Sequence, residues 1–269
     1  MMKNLSKTTL LLFLFFSISH VHSKAEDSSE KIIRIMTVVI CQQDDFLQHV
    51  LEPYLLENNI KIEYQQGHHS EVAAAVKNKA ADFVITHTKV KKLQKMEQKG
   101  LLNKGQLLFA NPMSFLGPKG DPAKISGLQD PVKAMKNIIE SDHCFIINGH
   151  KRLAKIQNKL IKQTGITETC VIQSKQQNED ILDDVFEKKA YTLWGLHPYA
   201  KKGNGKLEPI VIPEERLLSE MTGWVVKNTA SEKEANDLLN YLNTEQAKNR
   251  ITEFRLHNYN NIQAWWITK

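Results

Sequence analysis

The stretch Ile32-Ile33-Arg34-Ile35-Met36-Thr37-Val38-Val39-Ile40 decides the fold predicted for this chain. It is an almost unbroken apolar run rich in β-branched residues, which is typical of a parallel strand buried on both faces. After it, Phe46 to Leu55 has the apolar spacing of a helix, and residues 60–64 alternate like a second strand. This order of strand, helix and strand predicts a parallel α/β unit.

The same alternation continues along the chain. An alanine-rich helix at residues 72–76 precedes the strand Asp82-Phe83-Val84-Ile85-Thr86, and the next helix ends at Gly100. A turn-rich segment, Gly117 to Pro122, separates this first series from a second one of helices and strands over residues 132–195. We therefore expect two α/β lobes.

The C-terminal region returns to the first lobe in this interpretation. Residues 24–112 and 222–269 are predicted to form lobe I, and residues 113–221 lobe II, with hinges at the crossings 111–115 and 210–223. Ser231 with Glu234 predicts a capping box, and Thr244 predicts another helix cap. Trp265-Trp266 is expected to pack on the first lobe, and the alternative is an exposed partner surface.

The N-terminal 23 residues have the composition of a secretory signal peptide. Lys3 and Lys7 precede an apolar run from Thr9 to Ile18, and Val21-His22-Ser23 offers the small residues of a cleavage site. The apolar run is shorter than the roughly 20 residues that cross a bilayer. We expect a soluble mature protein in the periplasm.

Composition and cysteine content narrow the function classes. With 41% hydrophobic residues, the 269-residue chain can bury a substantial core. The net charge of +6 falls by two, to +4, without Lys3 and Lys7, and its scattered distribution argues against nucleic acid binding. Three cysteines in an oxidising compartment allow one intramolecular disulfide. We expect Cys144 with Cys170, since both lie near strands of the same half, and three reduced buried thiols are the alternative.

Several motifs carry a resemblance to a known family. They are Val76 to His87, Phe115 to Pro118 with Asp121 to Leu128, Glu187 to Leu193, and Tyr241 to Ala247. With the order of segments, they resemble the extracytoplasmic solute-binding proteins of ABC transporters, most closely the tungstate-binding branch. The resemblance covers residues 33–254 and implies a two-lobed α/β fold of the type 2 periplasmic-binding-protein class, with parallel-type sheets flanked by helices. It also implies capture of an oxyanion such as tungstate or molybdate for a membrane permease.

The ligand loops differ from the pattern of that branch. Where it has small hydroxyl residues, this chain has Val39-Ile40-Cys41, His68-His69-Ser70, Asn148-Gly149-His150 and Trp194 to His197. The residues predicted to bind the ligand are Cys41, Gln42, His68, His69, Ser70, Asn148, Gly149, His150 and His197.

Two chemistries are open for this site. Cys41, His68, His69 and His150 are residue types that bind zinc, copper or nickel, so a transition-metal site is one hypothesis. Alternatively, Lys151 and Arg152 at a helix start, with Ser70 and backbone amides, would hold a small anion or organic carboxylate. The two basic residues also fit a solvated helix face that continues through Lys155.

Catalysis has little support in the sequence. It lacks a Gly-x-Ser-x-Gly elbow, a phosphate-binding glycine loop and a His-Glu-x-x-His helix, so neither an enzyme nor a cofactor is expected. The expected partners are a small anion and an ABC permease, with a monomeric protein and no nucleic acid. A solute-binding scaffold without a ligand, acting as a sensory or partner-binding module, is a further alternative.

Overall fold

The computed structural model describes residues 31–167, 170–202, 205–212, 214–257 and 261–268, without the side chains of residues 42–44 and 200–202. The predicted signal peptide lies outside the described residues. From Lys31 onward the chain forms one compact unit. Within the described ranges, no helix is long and apolar enough to cross a membrane.

Strands and helices alternate as the sequence predicts. The strands are β1 Lys31–Thr37, β2 Ile60–Gln66, β3 Phe83–His87, β4 Gln106–Gly117, β5 Phe145–Ile147, β6 Val171–Gln173, β7 Thr192–Gly195, β8 Glu208–Val211, β9 Leu218–Val225, β10 Arg255–Leu256 and β11 Ile262–Gln263. The helices are α1 Phe46–Asn58, α2 His69–Lys77, α3 Lys91–Gln98, α4 Pro131–Glu140, α5 Lys151–Thr164, α6 Ile181–Glu187, α7 Leu196–Lys202, α8 Glu232–Leu242 and α9 Glu245–Glu253.

The main sheet has the strand order β2-β1-β3-β9-β4-β7, and β8 also pairs with β4. β1 pairs in parallel with β2 and β3, and β5 pairs in parallel with β6. β9 and β4 are antiparallel to their neighbours. The parallel βα units thus place their loops at the carboxyl ends of the strands, where α/β sheets bind ligands.

The two predicted crossings are paired strands. β4 and β9 run antiparallel, with Ala110 opposite Glu220, Asn111 opposite Ser219 and Pro112 opposite Leu218. Pro112 does not interrupt β4, which continues to Gly117. Backbone pairing therefore joins the two connections along the middle of the molecule.

The buried apolar residues form separate cores on the two sides of these crossings. One core draws on residues 33–109 and 221–265, and the other two draw on residues 113–217 and 116–207. This arrangement agrees with two lobes. The division into residues 24–112 with 222–269 and residues 113–221 stays a prediction.

Three local predictions need correction. The first strand ends at Thr37 rather than Ile40, because the chain turns into a 3₁₀ helix at Val39–Asp45. That strand is not buried on both faces along its whole length, since Ile32 near its start is 39% exposed. The Ser231 hydroxyl does not cap α8; it donates to the carbonyl of Ile32, 2.7 Å away.

Other local predictions are confirmed. Cys144 and Cys170 form a disulfide, with Cα atoms 4.6 Å apart, and Cys41 is a buried free thiol. The Thr244 hydroxyl caps α9 by accepting from the amide of Ala247. Trp265 is fully buried in the first core, as expected of a C-terminus that packs on lobe I.

Candidate functional site

A cavity of about 560 Å³ lies where several loops and strand ends meet. Its walls come from the turn after β1, the start of α2, the end of β3, the β4–β9 pair, the start of α5 and the region from β7 to α7. The lining residues are Val38, Val39, Ile40, Gly67, His68, His69, His87, Asn111, Met113, His150, Arg152, Leu153, Gln177, Trp194, Gly195, Pro198 and Ser219. Both predicted crossings contribute, so the cavity lies at the predicted hinge.

A second cavity, of about 280 Å³, adjoins the first. His69, His87 and Arg152 line both cavities. The remaining wall of the smaller one consists of Thr88, Lys89, Val90, Leu218 and Glu220. The three shared residues therefore stand between the two spaces, where each can contact a ligand in either.

Arg152 provides a fixed positive charge at this junction. It is the second residue of α5, and its Nη2 donates to the hydroxyl of Ser219 on β9 at 3.3 Å. Partial desolvation lowers the Arg152 pKa from its ordinary value. The guanidinium remains protonated at neutral pH, because arginine in proteins is effectively always charged. It offers several N–H donors that suit carboxylates and other oxyanions.

Two helices begin at the larger cavity. His68 precedes α2 and His150 precedes α5, and both residues line the cavity. The His68 amide donates to Glu71 Oε2 at 2.7 Å, and the His150 amide donates to Asn148 Oδ1 at 2.6 Å. The first amides of a helix have no intrahelical acceptor, so a helix start favours a nearby anion.

His69 and His87 form the wall beside Arg152. Their rings meet edge to face, with centroids 5.2 Å apart, and His69 Nδ1 lies 2.8 Å from the Thr86 hydroxyl. Desolvation, with the nearby Arg152 charge, lowers the His87 pKa to about 4 and lowers the His69 pKa as well. Both imidazoles are neutral at pH 7, so each can donate one hydrogen bond and accept one.

A family model places this architecture among known proteins. The model for bacterial extracellular solute-binding proteins matches residues 39–254. The chain belongs to this family.

Solved structures show the same fold for this solute-binding protein. The tungstate-binding protein TupA from Desulfovibrio alaskensis G20 is 17% identical, with a TM-score of 0.72 over 88% of this chain and 98% of that chain. The tungstate ABC transporter protein from Geobacter sulfurreducens is 20% identical, with a TM-score of 0.62 over 84% and 99%. A substrate-binding domain assigned to a molybdenum ABC transporter of Clostridium difficile is 12% identical, with a TM-score of 0.64 over 88% and 99%. A search of curated proteins gave no match.

Only some of the predicted site residues of this solute-binding protein line the larger cavity. His68, His69 and His150 line the larger cavity. Ser70 lies next to them in α2 and is exposed, but it does not belong to the described lining. The side chain of Gln42 lies outside the described residues. Whether these residues bind ligand stays a prediction.

Asn148 and Gly149 support the loop before α5. Asn148 is 1% exposed, and its backbone amide donates to Gln157 Oε1 at 2.9 Å. Gly149 lies against the chain at residues 175–176, where an added Cβ would come 2.6 Å from the carbonyl oxygen of Lys175. Glycine is thus required for this close approach, which positions His150 at the cavity.

Cys41 and His197 lie in the protein interior. Both are fully buried, and neither belongs to the described cavity lining. Burial raises the pKa of the Cys41 thiol, which disfavours the thiolate that binds metals. The His197 ring contacts Trp265, with centroids 5.1 Å apart.

The metal hypothesis gains no support from this geometry. Across the part of the chain that the structure describes, no three His, Cys, Asp or Glu side chains cluster as a metal site would require. Cys41 lies in the core, whereas its predicted partners His68, His69 and His150 line the cavity.

Sequence reasoning left several lining residues out of the predicted site. His87 ends the strand motif that carries the family resemblance. Its position at the carboxyl end of a strand indicates a ligand-binding residue. Arg152 is predicted from the sequence as part of an anion site, with a solvated helix face as the alternative. Asn111 and Ser219 reach the cavity through strand pairing that no local pattern reveals, and Trp194, which begins the predicted ligand loop Trp194 to His197, lies on the paired strand β7.

Proposed function

We propose that this solute-binding protein captures a small anion at Arg152 and delivers it to the membrane permease of an ABC importer. The observation that carries the proposal is the position of Arg152. Its guanidinium lines both cavities, beside two neutral imidazoles and near two helix starts. Each of these features favours negative charge or donates hydrogen bonds, and the role is binding rather than catalysis.

Capture would use closure of the two lobes about β4 and β9. Arg152 belongs to the predicted lobe II, whereas His69 and His87 belong to the predicted lobe I. An anion that contacts both sides is bound more tightly when they approach each other, so it shifts the population toward the closed arrangement. The permease would then recognise the closed form.

This role agrees with an extracytoplasmic location. The family consists of bacterial extracellular proteins, and residues 1–23 have the composition of a signal peptide. We place the mature protein, beginning near Lys24, in the periplasm, where a free solute-binding protein can meet both its ligand and the permease.

Thermal unfolding of the mature chain tests the proposal. The ligands are tungstate, molybdate, sulfate, phosphate and a set of carboxylates, with sodium chloride as the ionic-strength control. A ligand that binds only the folded state at 1,000 times its Kd adds about 4 kcal/mol of stability. For a domain of this size that is a rise of roughly 8–16 °C in Tm.

A pair of variants separates site binding from general charge effects. Arg152→Gln should abolish most of the rise, whereas Lys155→Gln should preserve it, because Lys155 is an exposed α5 residue outside the described cavity lining. Zinc and copper complete the panel. No response to any anion, a response to metal alone, or equal losses in both variants would each contradict the proposal.

A further inference from the structure

The larger cavity is several times the size of a bare oxyanion. A tetrahedral oxyanion has four oxygens, and at roughly the 30 Å³ that a water takes in the liquid these occupy about 120 Å³. The cavity measures about 560 Å³ and a second space of about 280 Å³ adjoins it. Such volumes fall in the range of sites for organic molecules, about 300–1,000 Å³.

Much of the lining of the larger cavity is apolar. Val39 and Ile40 follow β1, Met113 belongs to β4, and Trp194 and Pro198 come from β7 and α7. Val39 is 42% exposed, although a valine side chain ordinarily gains by burial. The exposed valine borders a space large enough for an apolar group, which would cover it.

The charge of the lining matches a single negative charge. Apart from histidines, the charged side chains among the described residues of the two cavities are Arg152, Lys89 and Glu220. Two cations and one carboxylate leave a net charge of +1. His69 and His87, with their lowered pKa values, add no charge at neutral pH. The non-histidine charges of the lining therefore balance one carboxylate.

Side-chain hydroxyls are scarce in the lining of the two cavities. Among the described lining residues, the side-chain hydroxyls are those of Ser219 and Thr88. The Ser219 hydroxyl accepts from Arg152 and keeps its own proton to donate, whereas the Thr88 hydroxyl pairs with Thr222 at 2.8 Å. Burying an ion without replacing its hydration is costly. Lobe closure would shrink the cavity but would not change the apolar chemistry of its wall.

We infer that the ligand is an amphipathic monocarboxylate, with its carboxylate at Arg152 and its apolar body against Val39, Ile40 and Trp194. The inference rests on the proposed function, which requires an anion but does not specify one. Arg152 stands at the boundary of the two cavities, so the carboxylate is held there while the body extends into the larger space. Specificity then comes from the shape and apolarity of the wall.

Isothermal titration of the mature protein distinguishes this ligand class from others. The probes are 3-phenylpropionate and 4-methylpentanoate, which have both parts. Acetate lacks the apolar body, 3-phenylpropionamide lacks the charge, and tungstate and molybdate represent bare oxyanions. We expect both probes to bind at least about tenfold more tightly than acetate or the amide, because each control loses one set of contacts.

Two variants test the two halves of the site. Arg152→Gln should weaken binding of 3-phenylpropionate about tenfold or more, by loss of a charge-assisted hydrogen bond. Val39→Asn should weaken it about fivefold, by loss of apolar contact. Leu56→Asn is the matched control, since Leu56 is 78% exposed on α1 and should leave affinity unchanged.

The outcomes separate the two proposals. Tighter binding of tungstate or molybdate than of either probe, with loss in Arg152→Gln, overturns the inference and leaves the proposed anion capture intact. Equal binding of acetate and the probes also overturns the inference. Binding of the neutral amide as tightly as the carboxylate, with Arg152→Gln unaffected, overturns both.

Discussion

His69 and His87 meet edge to face beside a fixed positive charge, with ring centroids 5.2 Å apart. His87 Nδ1 is buried and has no hydrogen-bond partner among the described residues. Arg152 lines the same two cavities, and Lys89 and the carboxylate of Glu220 line the smaller one. Protonating His87 would add a second charge next to the guanidinium in a desolvated place, which is why its pKa falls to about 4.

This arrangement predicts a loss of stability in mild acid. The His87 pKa is 6.5 in the unfolded chain and about 4 in the folded protein, so the unfolded state binds more protons between these values. Stability is therefore highest above pH 6.5 and falls as the pH decreases toward 4. Between pH 7.5 and 5 the His87 contribution is about 2 kcal/mol. Urea unfolding across this range measures it.

The variant His87→Gln isolates the contribution of this side chain. Glutamine does not titrate, so the decrease between pH 7.5 and 5 should be smaller than in the wild type by about 2 kcal/mol. His143→Gln is the control, because His143 is half-buried outside the two cavities and its Nδ1 hydrogen-bonds to the carbonyl of Lys189. If the free energy of unfolding of His87→Gln and of the wild type depended on pH in the same way, His87 would not be buried in its neutral form.

The Arg34–Asp82 ion pair is expected to contribute to stability. Arg34 donates to both carboxylate oxygens of Asp82, at 2.7 and 2.9 Å, and ties β1 to the start of β3. The Asp82 side chain is 1% exposed and that of Arg34 is 34% exposed. Asp82→Asn should lower the free energy of unfolding by about 3 kcal/mol, since breaking a buried pair leaves one charge uncompensated.

The unequal burial of the two partners predicts an order of effects. Arg34→Met leaves the more deeply buried charge alone, so it should destabilise more than Asp82→Asn at pH 7. The exposed pair Lys233–Asp237 is the control, and Asp237→Asn should leave stability nearly unchanged. Denaturant unfolding of the variants tests this order, and the reverse order would contradict it.

Much of the fold is predictable because buried strands and helices produce regular patterns of apolar residues in the sequence. The apolar runs at Ile32 to Thr37 and at Phe83 to Thr86 become β1 and β3. β3 is buried from Phe83 to Thr86, and β1 is buried from Ile35 to Thr37. The length of β4 is not predictable in the same way. Pro112 indicates a break by local rules, yet pairing with β9 keeps the strand continuous. Long-range pairing overrides local preference there.

The candidate site is only partly predictable for a related reason. The loops that follow parallel strands identify the ligand-binding edge of the sheet. They correctly predict that His68, His69 and His150 line the cavity. They do not tell which way a loop side chain points. Cys41 lies in the 3₁₀ helix after β1, which turns it into the core, and residues from β4 and β9 enter through pairing.

The thiol chemistry of the folded chain follows from the disulfide and the buried Cys41. In the oxidised native protein, an aromatic disulfide reagent should detect no reactive thiol, because Cys41 is fully buried and its pKa is raised. Denaturation should expose one thiol, and reduction before denaturation should expose three. Two reactive thiols in the native protein would contradict the Cys144–Cys170 bond.

Loss of that disulfide should also destabilise the protein. The two cysteines are 26 residues apart, and closing a loop of this length restricts the unfolded chain by about 3–4 kcal/mol. The double variant Cys144→Ser with Cys170→Ser should unfold at correspondingly lower urea concentration. Adding reductant should shift the wild type to the same midpoint and leave the double variant unchanged.

The C-terminal Trp265 is expected to be a main contributor to the first core. Its ring stacks on Phe46, with centroids 4.6 Å apart and planes at 21°, and meets Phe109 edge to face at 4.8 Å. Trp265→Ala should cost about 3–5 kcal/mol by cavity formation. The neighbouring Trp266 is only half-buried and joins β4 through backbone hydrogen bonds with Ala110, so Trp266→Ala should cost clearly less.

Removing residues 265–269 loses both the Trp265 ring and these backbone bonds and should lower Tm at least as much as Trp265→Ala. An unchanged Tm after truncation would instead mark the tail as a surface for a partner.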